Sequence, residues 1–174
     1  MNIDAMQAKD FTTSFLIEIR RRLFDECWVR FERCLGELTE AEIWLRPNEN
    51  SNSMGNLALH LSGNLRQWVL SGLGKAEDTR QRQKEFDERG PLPTEFLLET
   101  MRKTMEDVEL VLNKITFEDL LATHNVQGFQ ETGIAILVHV TEHYSYHVGQ
   151  MTYFVKALKD MDMGYYAGLD LEAK

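Results

Sequence analysis

The stretch from Gly133 to Lys159 reads GIAILVHVTEHYSYHVGQMTYFVKALK, and His139, His143 and His147 recur in it every four residues. On an α-helix, residues four apart lie one turn apart on the same side and drift only about 40° around the axis per step. The three rings therefore form one imidazole stripe. Ile134, Ile136, Leu137, Val140, Met151, Phe154, Val155 and Leu158 flank it, so the stripe sits inside an apolar segment. The spacing predicts a long helix with one side in a core. Any adjacent pair of these histidines can face one metal ion. The H-E-x-x-H motif holds zinc in this way, although its glutamate is absent here. The competing reading makes all three hydrogen-bonded core or boundary side chains, since histidine is intermediate in burial. Three buried imidazoles need three sets of partners, and a shared ion supplies two or three of them at once.

The chain around this helix has 174 residues, enough for one domain with a single core, and we read residues 1–174 as that domain. Its hydrophobic fraction of 43% supports a packed globule over a disordered chain. The net charge of -9 argues against a nucleic-acid backbone as the main partner, because no strong basic excess exists to displace counterions. Arg20, Arg21 and Arg22 form a basic cluster, read as a solvated helix edge. No apolar run approaches the roughly 20 residues of a membrane span, and residues 1–10 lack the apolar stretch of a signal peptide. Cys27 and Cys34 fall in one helix about 10 Å apart, too far for a mutual disulfide. Two unpaired thiols fit a reducing compartment, and the expectation is a cytoplasmic protein.

Three further helices follow from spacing. Phe11 to Leu38 carries Leu16, Ile19, Leu23, Cys27, Phe31 and Cys34 on one side, with Asp10, Thr12 or Thr13 as its cap. Ser53 to Leu70 carries Leu57, Leu61, Leu65 and Trp68, with Ser53 as N-cap. Its second stripe is polar: Asn56, His60, Asn64 and Gln67. Gly63 costs that helix about 1 kcal/mol against alanine, which points to close approach by another group. Gly149 reads the same way. Thr94, as cap, starts a helix that runs to about Lys114, its stripe made of Phe96 or Leu97, Met101, Met105 or Thr104, Val108, Val111 or Leu112, and Ile115. Short capped turns begin at Thr39 and Thr116, with Glu42 and Asp119 three residues on. Ser71 to Pro93 reads as a charged linker, and Ala122 to Gln130 as a loop containing His124. The last helix spans about Glu131 to Asp160. Four long amphipathic helices and no strand predict an all-α four-helix bundle with a long connection between its second and third helices.

Bundles build metal sites from facing helices. His60 lies mid-helix among residues that face the core and is the natural third donor beside two from the last helix. His139 to His147 spans about 12 Å of axis, so both ends do not easily reach one ion. The pair is then His143 with His147, or His139 with His143, and spacing leaves both open. Three imidazoles bind Zn²⁺ or Ni²⁺ and leave a position for water or substrate, as in catalytic sites.

The segment from Glu142 to Gln150, EHYSYHVGQ, resembles the H-x-x-x-H-x-G-Q signature of the DinB-like superfamily. The segment from Gly55 to Trp68 resembles the second-helix segment of an uncharacterised branch of it, and helix order and length agree over essentially the whole chain. The resemblance implies a DinB-like four-helix bundle, commonly homodimeric, with a nickel or zinc ion held by three histidines. Carried over by position, the ligands are His60, His143 and His147, and His139 becomes a pocket residue. Val148 stands where many relatives have arginine, which removes the basis for an anion-binding role there. Relatives include thiol-dependent transferases and isomerases and metal-dependent hydrolases. The expectation is therefore a metal-dependent hydrolase or a transferase using a low-molecular-weight thiol, on an unknown small-molecule substrate. The alternative is a non-catalytic dimeric helical module with a structural or adventitious metal. Glu142 points about 100° away from His143 and reads as a surface or supporting residue. Tyr146 reads as a buried packing residue; Asn56 and Asn64 read as groups that orient a ligand or a metal-bound water, with a simply solvated polar stripe as the competing reading.

Overall fold

A computed structural model describes residues 3–173. The chain is mostly helical, with one small two-stranded antiparallel sheet. Helix α1 covers residues 3–36 as Ile3–Arg20, a π-helical stretch Arg21–Trp28, and Val29–Gly36. Helix α2 is Glu40–Ile43. Helix α3 covers residues 54–73, as Met54–Leu65 followed by a π-helical stretch Arg66–Leu73. Helix α4 is Arg82–Asp87, α5 is Thr94–Leu112 and α6 is Phe117–Leu121. Strands β1 (Thr123–Val126) and β2 (Phe129–Thr132) form a hairpin, and α7 is Gly133–Lys159. This makes seven helices among the described residues.

Several helix starts follow from side chains that accept the otherwise unpaired first N–H groups. Thr39 and Glu42, Ser53 and Asn56, and Thr116 and Asp119 each form a reciprocal capping box. Thr132 caps α7 through the Ala135 N–H. Three expected starts move. Asp10, Thr12 and Thr13 lie inside α1, which begins at Ile3; the polar first turns lack the apolar stripe that marks the rest of the helix. Thr94 is already helical and makes no side-chain cap, because Pro93 holds the N-cap position. Residues 123–132, expected as loop and helix entry, pair as strands instead. The two-residue turn at Gln127 and Gly128 has φ of 51° and 83°, the positive-φ geometry that joins tight hairpins.

The expected apolar stripes form the core. Leu16, Ile19, Leu23, Cys27, Phe31 and Cys34 of α1 are buried, as are Leu57, Leu61, Leu65 and Trp68 of α3. Leu97, Met101, Met105, Val108 and Leu112 of α5 join them, with Ile136, Leu137, Val140, Met151 and Val155 of α7. Helix α7 packs on α1 and α3, and α3 also packs on α5. Both cysteines are buried and free. Burial pushes the Cys27 thiol up to about 11, so it behaves as an inert packing group. Arg21 and Arg22 pair with Glu18 and Glu26 along the surface of α1, and Arg20 reaches Glu109 on α5. No helix among the described residues is long and apolar enough to cross a membrane.

Candidate metal centre

Helices α3 and α7 lie side by side, and this brings His60 against His143 and His147. Each offers one ring nitrogen, and the three nitrogens lie within 4.8 Å of one another. The Nε2 atoms of His60 and His143 are 3.1 Å apart. Nitrogens bound tetrahedrally to one ion at about 2.0–2.1 Å stand about 3.3 Å from each other. The donor set thus fits a small divalent cation after a modest contraction.

The rings are held from outside the cluster. His147 Nδ1 is 2.8 Å from Gln150 Oε1, one helical turn on, which leaves its Nε2 free. His60 is buried, and its Nδ1 is 3.0 Å from Glu85 Oε2. Among the described residues, His143 Nδ1 has no hydrogen-bond partner. Burial, reinforced by the neighbouring imidazoles, pushes His143 down to about 3. Burial lowers His147 as well, with His60 adding to it against the Gln150 bond. Both rings are therefore neutral at ordinary pH, the form that binds metal.

His139 stays outside this group of three. It stacks face to face on Trp68, with ring centroids 3.8 Å apart, and also faces His143 at 5.5 Å. Burial lowers its pKa, opposed by Glu142 and Glu131. The Trp68 indole N–H donates to Gln127 Oε1 in the hairpin turn, so the hairpin braces the His139 side of the cluster. His124 bonds the Asp119 carbonyl and takes no part. Glu142 is exposed.

Three expectations for the surroundings are corrected. Tyr146 is 62% exposed; its ring edges onto His147, but its other side faces solvent. Gly149 has nothing within 4 Å of where a β-carbon would stand, so no close packing explains it. Asn56 is fully buried and serves the chain rather than a ligand. Its side chain closes the Ser53 cap and donates to the carbonyls of Glu85 and Glu88, both at 2.9 Å.

Those carbonyls belong to the charged connection, whose residues sequence reasoning missed. Residues 78–88 lie along the polar stripe of α3. Gln67 donates to Asp78 and accepts from Arg80, at 2.7 and 2.9 Å. Arg80 and Glu85 form a two-point ion pair, at 2.7 and 2.8 Å, with side chains only 4% and 11% exposed. Arg80 Nη2 also lies 3.1 Å from His60 Nδ1. Burial works to raise the Glu85 carboxyl, but hydrogen bonds from Arg80 and His60 overcome it and hold it low. Phe86 covers the His60 ring at 4.7 Å. The signal for this docking was Gly63. A β-carbon there would stand 2.1 Å from Glu85 Oε1.

On the other side of His147, Tyr146, Gly149, Gln150 and Tyr153 line a groove of about 920 Å³ that extends past Met54 and Leu57 of α3. Its lining carries no charged side chain.

The sequence pattern of the family described as protein of unknown function (DUF1572) matches residues 10–167. No curated protein matches the chain. Among solved structures, a DinB-like protein from Bacillus cereus superposes with a TM-score of 0.61 at 20% identity, over 78% of this chain and 88% of that one. A conserved protein from Enterococcus faecalis superposes with a TM-score of 0.64 at 16% identity, over 92% of this chain and 99% of that one. The fold is thus DinB-like.

Proposed function

We propose that this chain, which belongs to the DUF1572 family, is a divalent-metal-dependent enzyme whose ligands are His60, His143 and His147. The observation that carries the reading is the convergence of three ring nitrogens, from two helices, within 4.8 Å. Structural zinc sites are closed by four protein ligands, whereas three leave a position open, so the count favours catalysis over a purely structural ion. Zinc or nickel, when bound, supplies Lewis acidity toward a substrate oxygen or sulfur. The chain's own residues do the rest. His147 is fixed by Gln150, His60 by the buried connection, and Phe86 and Trp68 shield the ring faces of His60 and His139.

Of the two reaction types expected, we place hydrolysis ahead of transfer to a low-molecular-weight thiol. The groove beside His147 has no charged lining and suits a neutral substrate. We further propose that the chain works as a single-domain four-helix bundle, built on α1, α3, α5 and α7. The homodimeric and cytoplasmic assignments belong to the same proposal; the two free buried cysteines support a reducing compartment.

Elemental analysis of the untagged protein, purified without metal-affinity resin, tests the centre. About one equivalent of zinc or nickel per chain is expected, absent from His147→Ala. No metal in the wild type, with no change in melting temperature on adding zinc or nickel, would overturn the reading.

A further inference from the structure

The connection between α3 and α5 brings two groups of opposite hydrogen-bonding character to one atom. His60 Nδ1 is 3.0 Å from Glu85 Oε2 and 3.1 Å from Arg80 Nη2. A carboxylate only accepts and a guanidinium only donates. Nδ1 therefore satisfies one of them. If it carries the proton, it donates to Glu85. If it is bare, it accepts from Arg80. The choice fixes the other ring nitrogen, because a neutral imidazole has one N–H. A bare Nδ1 puts the proton on Nε2, which stands 3.1 Å from His143 Nε2 in the middle of the candidate centre.

The contacts favour donation to Glu85 in the wild type, because a bare Nδ1 would set its lone pair against the Glu85 carboxylate at 3.0 Å, whereas Arg80 has other acceptors. Arg80 Nη2 has two hydrogens and two acceptors, Glu85 Oε2 at 2.8 Å and the His60 carbonyl at 3.4 Å. The remaining Arg80 contacts go to Glu85 Oε1 and Gln67 Oε1 through Nε and Nη1. The guanidinium thus has acceptors other than Nδ1, and Nδ1 is free to donate to Glu85.

We propose that Glu85 is a positioning residue that holds His60 as the Nδ1–H tautomer, with Arg80 as the competing donor it keeps occupied. This rests on the metal reading in one respect: the Nε2 lone pair of His60 is what an ion would use. Removing the Glu85 carboxylate frees an Arg80 hydrogen for Nδ1, moves the imidazole proton to Nε2 and blocks that lone pair. Metal affinity is then controlled by a side chain that touches no metal. Asn56 adds to the arrangement by holding the backbone at Glu85 and Glu88.

The test has two readouts on wild type, Glu85→Ala and the double variant Arg80→Met/Glu85→Ala. The double variant removes the stranded buried charge and serves if the single variant does not fold. Nitrogen-15 chemical shifts of metal-free protein report the His60 tautomer, and zinc titration reports affinity. The wild type should show Nδ1–H and Glu85→Ala should show Nε2–H. Zinc binding by Glu85→Ala should weaken on the order of 10–100-fold, the usual effect of losing a carboxylate behind a histidine ligand. The double variant should lose the Nδ1–H preference yet bind zinc more tightly than Glu85→Ala. Retention of Nδ1–H in both variants would overturn the proposal, as would wild-type affinity in Glu85→Ala. If the wild type itself binds no zinc, the metal reading falls, and the shifts of the metal-free proteins still decide the tautomer.

Discussion

The Nε2 atoms of His60 and His143 face each other across 3.1 Å, although the residues stand 83 positions apart in the chain. At that separation one N–H between the two nitrogens serves the pair, and a cation between them would take both lone pairs. Excess zinc should therefore raise the melting temperature of the wild type. At a hundredfold excess over the dissociation constant the linkage is about 2.7 kcal/mol. His60→Ala and His143→Ala should show no such rise. An equal zinc-induced shift in wild type and both variants, read by thermal denaturation, would remove these residues from the ligand set.

Stability should fall with pH in a defined direction. Burial lowers His139, His143 and His147 in the folded chain, His143 to about 3. Below the unfolded value of about 6.5, the unfolded chain takes up protons that the folded chain refuses. The histidine contribution is therefore fully present above about 6.5 and is lost as pH falls from there toward the folded values. The urea midpoint of metal-free protein should be lower at pH 5.5 than at pH 7.5, before the carboxylates titrate. Zinc affinity should drop over the same interval, since binding requires bare nitrogens. A midpoint that rises on acidification to 5.5 would contradict this balance.

His139 belongs to the stripe in sequence but to Trp68 in space, stacked at 3.8 Å. His139→Ala should keep the full zinc stoichiometry. It should cost about 1 kcal/mol of stability for the lost ring contact, measured by urea unfolding. Loss of zinc in this variant would mean that the tripod is assigned one turn out of place.

Two helix glycines should answer alanine oppositely. At Gly149 nothing lies within 4 Å of a new β-carbon, so Gly149→Ala should stabilise by up to about 1 kcal/mol from helix propensity. At Gly63 the β-carbon would meet Glu85 Oε1 at 2.1 Å, and Glu85 is tied to both Arg80 and His60. Gly63→Ala should destabilise by about 1–3 kcal/mol despite the better propensity. Chemical denaturation of the two variants side by side checks the contrast, and a stabilised Gly63→Ala would show that the connection is not docked there.

Much of this architecture is legible in the sequence because it is periodic. The apolar stripes, the His139–His143–His147 spacing and the helix caps at Thr39, Ser53 and Thr116 are local signals with local causes. Arg80 and Glu85 were illegible for the converse reason. They lie in a run of charges whose composition is that of a solvated segment, and only tertiary contact with α3 buries them. Asn56 was misread because a polar stripe beside leucines looks the same whether water or a returning chain covers it. The hairpin carried its signal in the glycine at position 128, but strands of four residues hold too little pattern to stand out. The start of α1 was missed because its first turns have no buried face to impose a period. The π-helical stretches leave no mark in residue type at all.

Two of the three imidazoles ride on one rigid rod, four residues apart, and the third comes from its neighbour. The span between the first two is thus set by helix pitch alone. The distance to the third is set by how far α3 stands from α7, which the buried side chains where the two helices pack determine. The centre works as a caliper with one fixed jaw. In the proposed centre, changing the bulk of the packing between the rods would move the free jaw, so discrimination among ions of different radius would rest on the hydrophobic filling as much as on the donors themselves.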